Sequence, residues 1–144
     1  MLNYNSVIKN EINQGSIFVK EISPVMKINL RGKKREFLTN IGKNLNMILP
    51  TEANTSTTSD KLTAIWLSPD EWMIVSNELV SKDTNKYELQ EMLFNSISKT
   101  TLGAVVDVTD QFVQLELKGE NIYEIFSAGS PFNFNEFKEK KGST

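Results

Sequence analysis

The stretch IWLSPDEWMIV, residues 65–75, decides how the rest of the sequence is interpreted. Two apolar runs, each containing a tryptophan, flank the polar and turn-forming residues SPDE. Pro69 fits position i+1 of a type I turn, and Ser68 and Asp70 fit positions i and i+2. The stretch therefore predicts a β-hairpin that turns at this proline.

The side chains of this hairpin allow a structural and a functional interpretation. Trp66 and Trp72 have apolar neighbours along their strands, which favours positions in the core over the stacking of a ligand. Asp70 and Glu71 are adjacent in the turn and should point apart, so they are poorly placed to share acid–base chemistry on one substrate. We expect these two acids to fix the turn geometry or to form ion pairs at an interface.

Length and composition limit the class of protein. The chain has 144 residues, of which 39% are apolar and 24% are charged, as in a globular domain. The net charge of −2 argues against nucleic acid or an anionic membrane as partner. The sequence contains neither a run long enough for a transmembrane helix nor an apolar leader. We therefore expect a cytoplasmic protein.

The absence of cysteine and histidine limits the possible chemistry. Without these residues the chain has no thiol nucleophile, no imidazole base, and no thiolate or imidazole ligand for zinc. No glycine-rich phosphate loop and no EF-hand spacing of acids is present. We expect no catalytic, cofactor-binding or metal-binding residue in this chain.

The hydrophobic pattern predicts the order β-β-α-β-β-α-β-β-α. This order favours an α+β fold, with a mixed or antiparallel sheet covered by helices and with ferredoxin-like split β-α-β elements. Residues 1–15 are polar and predict a flexible or partner-held arm, and residues 16–144 predict a single α+β domain. Residues 51–60 predict a polar loop. After Pro24, apolar residues alternate with polar ones and predict a strand that ends at Gly32: Met26, Ile28 and Leu30 on one face, Lys27, Asn29 and Arg31 on the other.

Helical spacing of apolar residues predicts three helices. The first covers about residues 33–47, the second starts near Ser81 with Asp83 as a possible cap, and the third follows Gly119. In the third helix, Ile122, Ile125 and Phe126 are expected to face inward.

Two charged residues lie in or next to apolar strands. Val105 and Val106 are expected to be buried on both faces of their strand, and Asp107 follows them directly. A buried carboxylate needs partners. The candidates are a neighbouring backbone group, the guanidinium of Arg31, or a contact with another subunit.

Several segments resemble one family in order and spacing. WLSPDEWMIV is similar to the W-L-G-P-D-E-W-L-L-V stretch of the gamma subunit of heterotetrameric sarcosine oxidase, with Ser68 in place of glycine. LRG at 30–32, LP at 49–50, and the block VVDVTDQFVQLELKGENIYEIFSAGSPFNFNEF at 105–137 also agree, except at SPFNFN. The resemblance covers about residues 24–142, and the late block is shared with the folate-binding domain of aminomethyltransferases.

The resemblance implies a fold and a role. The fold is that of the aminomethyltransferase folate-binding domain, without its C-terminal part. The role is that of a non-catalytic subunit, which contacts mainly the alpha subunit, beside beta and delta subunits. The assembled flavoenzyme oxidises sarcosine to glycine with oxygen and passes the one-carbon unit to tetrahydrofolate. FAD, FMN, NAD and tetrahydrofolate belong to the partner subunits. The structural or interface candidates are Arg31, Trp66, Pro69, Asp70, Glu71, Trp72, Asp107 and Gly119.

Two alternatives remain open at this point. The chain could be a stand-alone folate-binding module, in which Asp107 or Glu116 would face the pterin. It could also support a related oxidase that acts on dimethylglycine, because the substrate site of such an enzyme would lie in another chain.

Overall fold

The computed structural model describes residues 5–22, 24–79, 87–139 and 142. The chain forms two compact units. We call Val25–Thr109 with Gly142–Thr144 the core unit, and Met1–Pro24 with Asp110–Lys141 the small unit.

The core unit is built on a five-stranded antiparallel sheet with the strand order β4-β5-β6-β3-β7. Its middle is the predicted hairpin, which pairs on one side with β3 and on the other with the short β4. Leu30 of the sheet lies opposite Trp72 on one neighbour and opposite Val105 on the other. The strands are β3 Val25–Arg31, β4 Ser56–Thr58, β5 Leu62–Ser68, β6 Glu71–Leu79 and β7 Ala104–Asp107.

Helical segments of the core unit follow the strands. The α-helices are α1, Arg35–Leu45, and α2, Glu88–Leu93. A π-helical turn, Phe94–Ser98, directly continues α2, and a 3₁₀ turn, Thr109–Gln111, follows β7. The amphipathic pattern of α1 buries Phe37, Ile41 and Leu45.

The hydrophobic core lies entirely in the core unit. Among the described residues, all those that are buried fall between positions 25 and 109. The core cluster consists of Ile28, Leu30, Phe37, Ile41, Leu45, Met47, Leu49, Ala64, Trp72, Ile74, Leu93, Ile97 and Val105. Four strands of this sheet, β3, β5, β6 and β7, and the helical segments packed against them thus provide most of the apolar burial that stabilises the fold.

The small unit has a three-stranded antiparallel sheet in the order β1-β2-β8. Its strands are β1 Ile12–Gln14, β2 Ile17–Ile22 and β8 Gln114–Lys118, and its helices are α3 Ile122–Gly129 and α4 Glu136–Glu139. Five aromatic rings of the helical segment contact one another, with centroids 5.2–6.5 Å apart. None of the described residues of this unit is fully buried.

The α+β class with antiparallel sheets is confirmed, as are the hairpin and the strand that starts at Val25. The predicted loop over 51–60 is wrong in part, because β4 pairs with β5 there. Thr55 begins this pairing by accepting a hydrogen bond from the Trp66 amide at 3.0 Å. The edge of β5 provides hydrogen-bond partners for the backbone of β4. The polar side chains of this segment gave no sequence signal for a strand.

Three further expectations differ from the structure. Val106 is 47% exposed while Val105 is buried, because successive residues of a strand point to opposite faces. Ile125 and Phe126 are exposed rather than inward, in a unit that has no fully buried residue among those described. The described part of the second helix starts at Glu88, and the predicted cap Asp83 lies outside the described residues.

The end of the predicted N-terminal arm contains strand β1, which pairs with β2. The division of the chain into an arm and a single domain stays a prediction.

The ring of Phe37 occupies a space that two glycines leave open. A Cβ atom on Gly32 would lie 2.6 Å from Cγ of this ring, and one on Gly103 would lie 2.9 Å from its Cδ2. A Cβ on Gly103 would also overlap the carbonyl oxygen of Arg31. Both glycines therefore permit the close approach of α1 to the sheet.

We predict that Gly103→Ala lowers the free energy of unfolding by about 1–3 kcal/mol, because the new methyl group overpacks the space beside Phe37. The measurement is urea unfolding followed by circular dichroism. Gly42→Ala is the matched control, since its Cβ would meet only Met47, at 3.3 Å from the carbonyl oxygen, and alanine favours the helix. That control should change stability by no more than about 1 kcal/mol. Equal losses in both variants would contradict the packing argument.

Candidate functional site

The turn of the β5–β6 hairpin is held by contacts from three directions. The backbone amide of Gly32 donates to the Asp70 carbonyl oxygen at 2.9 Å. The Ser68 hydroxyl donates to Oδ1 of Asp70 at 3.0 Å, and Nζ of Lys33 lies 3.5 Å from Oδ2. The turn is thus tied to the corner between β3 and α1.

The two tryptophans lie directly opposite each other across the hairpin, but their environments differ. Trp72 is buried, its indole Nε1 donates to the Pro50 carbonyl oxygen at 2.7 Å, and its ring lies 5.9 Å from that of Phe37. Trp66 is half-buried and packs against the edge of the core. Trp72 is therefore a core residue, whereas Trp66 retains an accessible surface.

That surface of Trp66 lines a small cavity of about 150 Å³. Pro69 and Leu38 provide further apolar walls, and Lys33 lies at its edge. The remaining lining residues are Gly32, Thr51 and Trp72. The cavity is below the range of about 300–1,000 Å³ that is typical of small-molecule sites.

Asp70 and Glu71 have separate partners. While Asp70 contacts Ser68 and Lys33, Glu71 accepts a hydrogen bond from Nδ2 of Asn29 at 2.9 Å. The two carboxylates are therefore occupied by different neighbours, and both are half-buried.

The environment of Asp70 favours its ionised form. The hydroxyl of Ser68 is the largest of several influences that lower the pKa of this carboxyl below its ordinary value. Desolvation by neighbouring atoms opposes the shift, and the positive charges of Lys33 and Arg31 add to it.

Arg31 and Asp107 lie on neighbouring strands of the core sheet. Arg31 is exposed and pairs with Glu71 on one side and Ala104 on the other. Asp107 lies opposite Ile28, three positions away, and its Oδ1 accepts a hydrogen bond from the Thr109 amide at 2.9 Å. The contact that the structure shows for Asp107 is thus the one with neighbouring backbone.

Gly119 lies in the small unit, directly after β8. Its φ angle of 146° is one that residues with a side chain rarely adopt. A Cβ atom here would also overlap the carbonyl oxygen of Ser16. The residue therefore serves the backbone conformation between β8 and α3.

The structure also shows features that the sequence pattern did not reveal. Lys27 is buried although it lies on the same face of β3 as Asn29 and Arg31. Its backbone amide donates to Oγ1 of Thr109 at 3.0 Å, a long-range contact that no local pattern predicts. A second, open concavity of about 520 Å³ runs along α2 and the π-helical turn. Two exposed aromatic residues, Tyr87 and Phe94, line this concavity. Their spacing of two helical turns places them on one face of the helix and is the sequence signal that could have predicted it.

In the part of the chain that the structure describes, no cluster of three or more potential metal ligands occurs. No helix among those residues is long and apolar enough to cross a membrane.

Comparison with known proteins identifies the fold and then the family. The structure is similar to a chain of a solved structure described as heterotetrameric sarcosine oxidase from Corynebacterium sp. U-96 in complex with pyrrole 2-carboxylate, with a TM-score of 0.70 and 16% identity. The similarity covers 86% of this chain and 61% of that chain, so it spans less than two thirds of the solved relative. The model of the sarcosine oxidase, gamma subunit family matches residues 32–138.

The chain belongs to the sarcosine oxidase gamma subunit family, since this match covers most of its length. The search of curated proteins finds no match. The resemblance that the hairpin and the late block indicate is thereby confirmed at the level of the family.

We predict that Trp72→Phe lowers the free energy of unfolding by about 1–3 kcal/mol, because it leaves the Pro50 carbonyl without its buried donor. Trp66→Phe is the matched control, since it makes the same change at the half-buried residue directly across the hairpin. Urea unfolding monitored by circular dichroism should show a clearly smaller loss for this control. A loss at Trp66 as large as that at Trp72 would contradict the role of the indole hydrogen bond.

The ionisation of Asp70 gives a second prediction. Because its pKa is lowered in the folded protein, the contribution of its carboxylate to stability is complete above the unfolded pKa and disappears as the pH falls through the folded pKa. Carboxyl-detected NMR titration should show that Ser68→Ala raises the pKa of Asp70, because it removes the largest of the influences that lower it. Asp70→Asn should make stability less dependent on pH in the acid range. An unchanged or lower pKa of Asp70 in Ser68→Ala would contradict the role of the serine hydroxyl.

Proposed function

We propose that this chain is the non-catalytic gamma subunit of a heterotetrameric sarcosine oxidase. The observation that carries the proposal is the family match over residues 32–138. The similarity of the fold to a chain of a solved heterotetrameric sarcosine oxidase supports it. In such an assembly this chain contributes surfaces for subunit contact, and the chemistry takes place in the partner subunits.

The distribution of apolar side chains supports a role in assembly. Several large apolar residues of the small unit are exposed, and none of the described residues of that unit is fully buried. These side chains are available for apolar contacts with another protein. The residues are Val7, Ile12, Phe112, Val113, Leu115, Ile125 and Phe126.

The contacts at the candidate residues support a structural role rather than catalysis. Asp70 and Glu71 accept hydrogen bonds from their own neighbours, Trp72 is packed in the core, and Asp107 accepts from the backbone of Thr109. Each of these side chains fixes local geometry in the contacts described above.

In the proposed complex, the enzyme oxidises sarcosine to glycine with oxygen as acceptor and transfers the one-carbon unit to tetrahydrofolate. FAD, FMN, NAD and tetrahydrofolate bind to the partner subunits, and the alpha subunit forms the main contact with this chain. This chain supports the assembly that holds them.

We predict that a yellow, flavin-containing complex that oxidises sarcosine forms when the tagged chain is co-expressed with the other oxidase subunits. The complex expressed without this chain should lose stability and activity, which thermal unfolding and oxygen consumption with sarcosine measure. Dimethylglycine is the control substrate, and faster oxidation of it would assign the complex to a related oxidase. Full stability and full activity without this chain would contradict the proposal.

The absence of catalysis in this chain has its own test within the same complex. Asp107→Asn and Glu116→Gln remove the two acids that lie in strands β7 and β8. Each variant should change kcat by less than about twofold, because neither residue contacts the reacting atoms in this proposal. A much larger fall in kcat, with the complex intact, would place catalysis partly in this chain.

A further inference from the structure

The corner between β3 and α1 carries an unusual concentration of positive charge. Four of the 16 lysine and arginine residues fall within the five positions RGKKR, residues 31–35, in a chain whose net charge is −2. All four residues are exposed, and the side chain of Lys33 is 82% exposed. We call Arg31, Lys33, Lys34 and Arg35 the basic corner.

The neighbouring acidic residues do not neutralise the positive charge of the basic corner. Asp70 and Glu71 are half-buried and accept hydrogen bonds from Ser68 and Asn29, respectively. Among the described residues, the cation that forms an ion pair with Asp70 is Lys33, at 3.5 Å, which is a long contact for an exposed amine. Glu36 is exposed and offsets one of the four cations. The cations thus point into solvent, whereas the turn carboxylates are occupied within the fold.

An apolar cavity opens beside the basic corner. The cavity of about 150 Å³, walled by Trp66, Pro69 and Leu38, has Lys33 at its edge. Its volume is small for a free ligand but suits one apolar side chain, the kind of anchor that fills pockets at protein interfaces. A cation-rich rim beside an apolar pocket is complementary to an acidic segment that carries such an anchor.

We propose that the basic corner and this cavity form the docking site for an acidic segment of a partner subunit, with one apolar side chain of that segment in the cavity. The inference rests on the proposed function, because it specifies where a partner subunit binds. Carboxylates of the segment contact Lys34 and Arg35, and they compete with Asp70 for Lys33. The half-buried face of Trp66 becomes covered on binding.

Charge distinguishes this occupant from the alternatives. A second copy of the chain bound through the same surface would place identical cations against each other, since a two-fold contact is self-complementary. Four cations on one corner of an acidic protein are also a small footprint for nucleic acid, which selects for an extended basic surface. An acidic protein segment fits both the charge and the apolar cavity.

The test is the dissociation constant of this chain in the assembled complex of all co-expressed oxidase subunits, measured by dilution and mass photometry at low and high salt. Lys34→Glu/Arg35→Glu should weaken binding by about tenfold or more and reduce its salt dependence, because it reverses charge at the rim. The double variant should fold, since acids in the first turn of a helix are favourable. Leu38→Phe, which fills part of the cavity, should also weaken binding.

The matched control is Lys43→Glu/Lys99→Glu, which reverses two exposed lysines elsewhere in the core unit. This control should bind as the wild-type chain does. If the rim variant binds with unchanged affinity, or if both double variants weaken binding equally, the inference is wrong while the proposed function stands. If Leu38→Phe binds normally, the cavity does not hold an anchor and that part is overturned.

Two outcomes would overturn more. A wild-type chain that shows no binding to the partner subunits would overturn the proposed function and this inference together. Sedimentation that shows self-association lost in Lys34→Glu/Arg35→Glu, or binding of an RNA oligonucleotide that depends on the same two residues, would assign the basic corner to another occupant.

Discussion

The packing of one aromatic ring against two glycines determines how the core unit is built. Phe37 comes from the first turn of α1, lies beside Gly32 and Gly103, and contacts the ring of Trp72 at a centroid distance of 5.9 Å. Through these contacts α1 is fixed against β3, β6 and the start of β7. Since protein interiors are close-packed, a single added methyl group at either glycine would force the helix away from the sheet.

This packing also sets the position of the candidate site. Gly32 brings the backbone of the β3–α1 corner close to Phe37, and its amide donates to the carbonyl oxygen of Asp70. The hairpin turn and the basic corner are therefore held together by the same segment that anchors the helix. A surface that rests on a close-packed core keeps its geometry when a partner binds, which reduces the ordering cost of binding.

The two units divide the sources of stability unevenly. The core unit contains all the buried residues among those described, whereas the small unit has a three-stranded sheet and a cluster of mutually contacting aromatic rings without a fully buried residue. A three-stranded sheet needs a covered apolar face for independent stability. Apolar burial therefore stabilises mainly the core unit.

The sequence by itself determined the hairpin, the strand at Val25, the helix over Phe37 to Leu45, and the family. These features depend on local information: proline chemistry at the turn, alternation along a strand, and apolar spacing along a helix. The absence of cysteine and histidine likewise limited the chemistry before any contact was known.

Only the tertiary structure decided which residues of those elements are buried in the core and which remain at the surface. Val105 and Val106 are equally apolar, yet only Val105 is buried, because the pleat directs neighbours to opposite faces. β4 forms from a polar sequence because the edge of β5 provides its hydrogen bonds. The two tryptophans of the hairpin look equivalent in sequence, but only Trp72 reaches Phe37 and Pro50, and Trp66 remains at the rim of a cavity. Long-range packing, which no local pattern encodes, makes each of these distinctions.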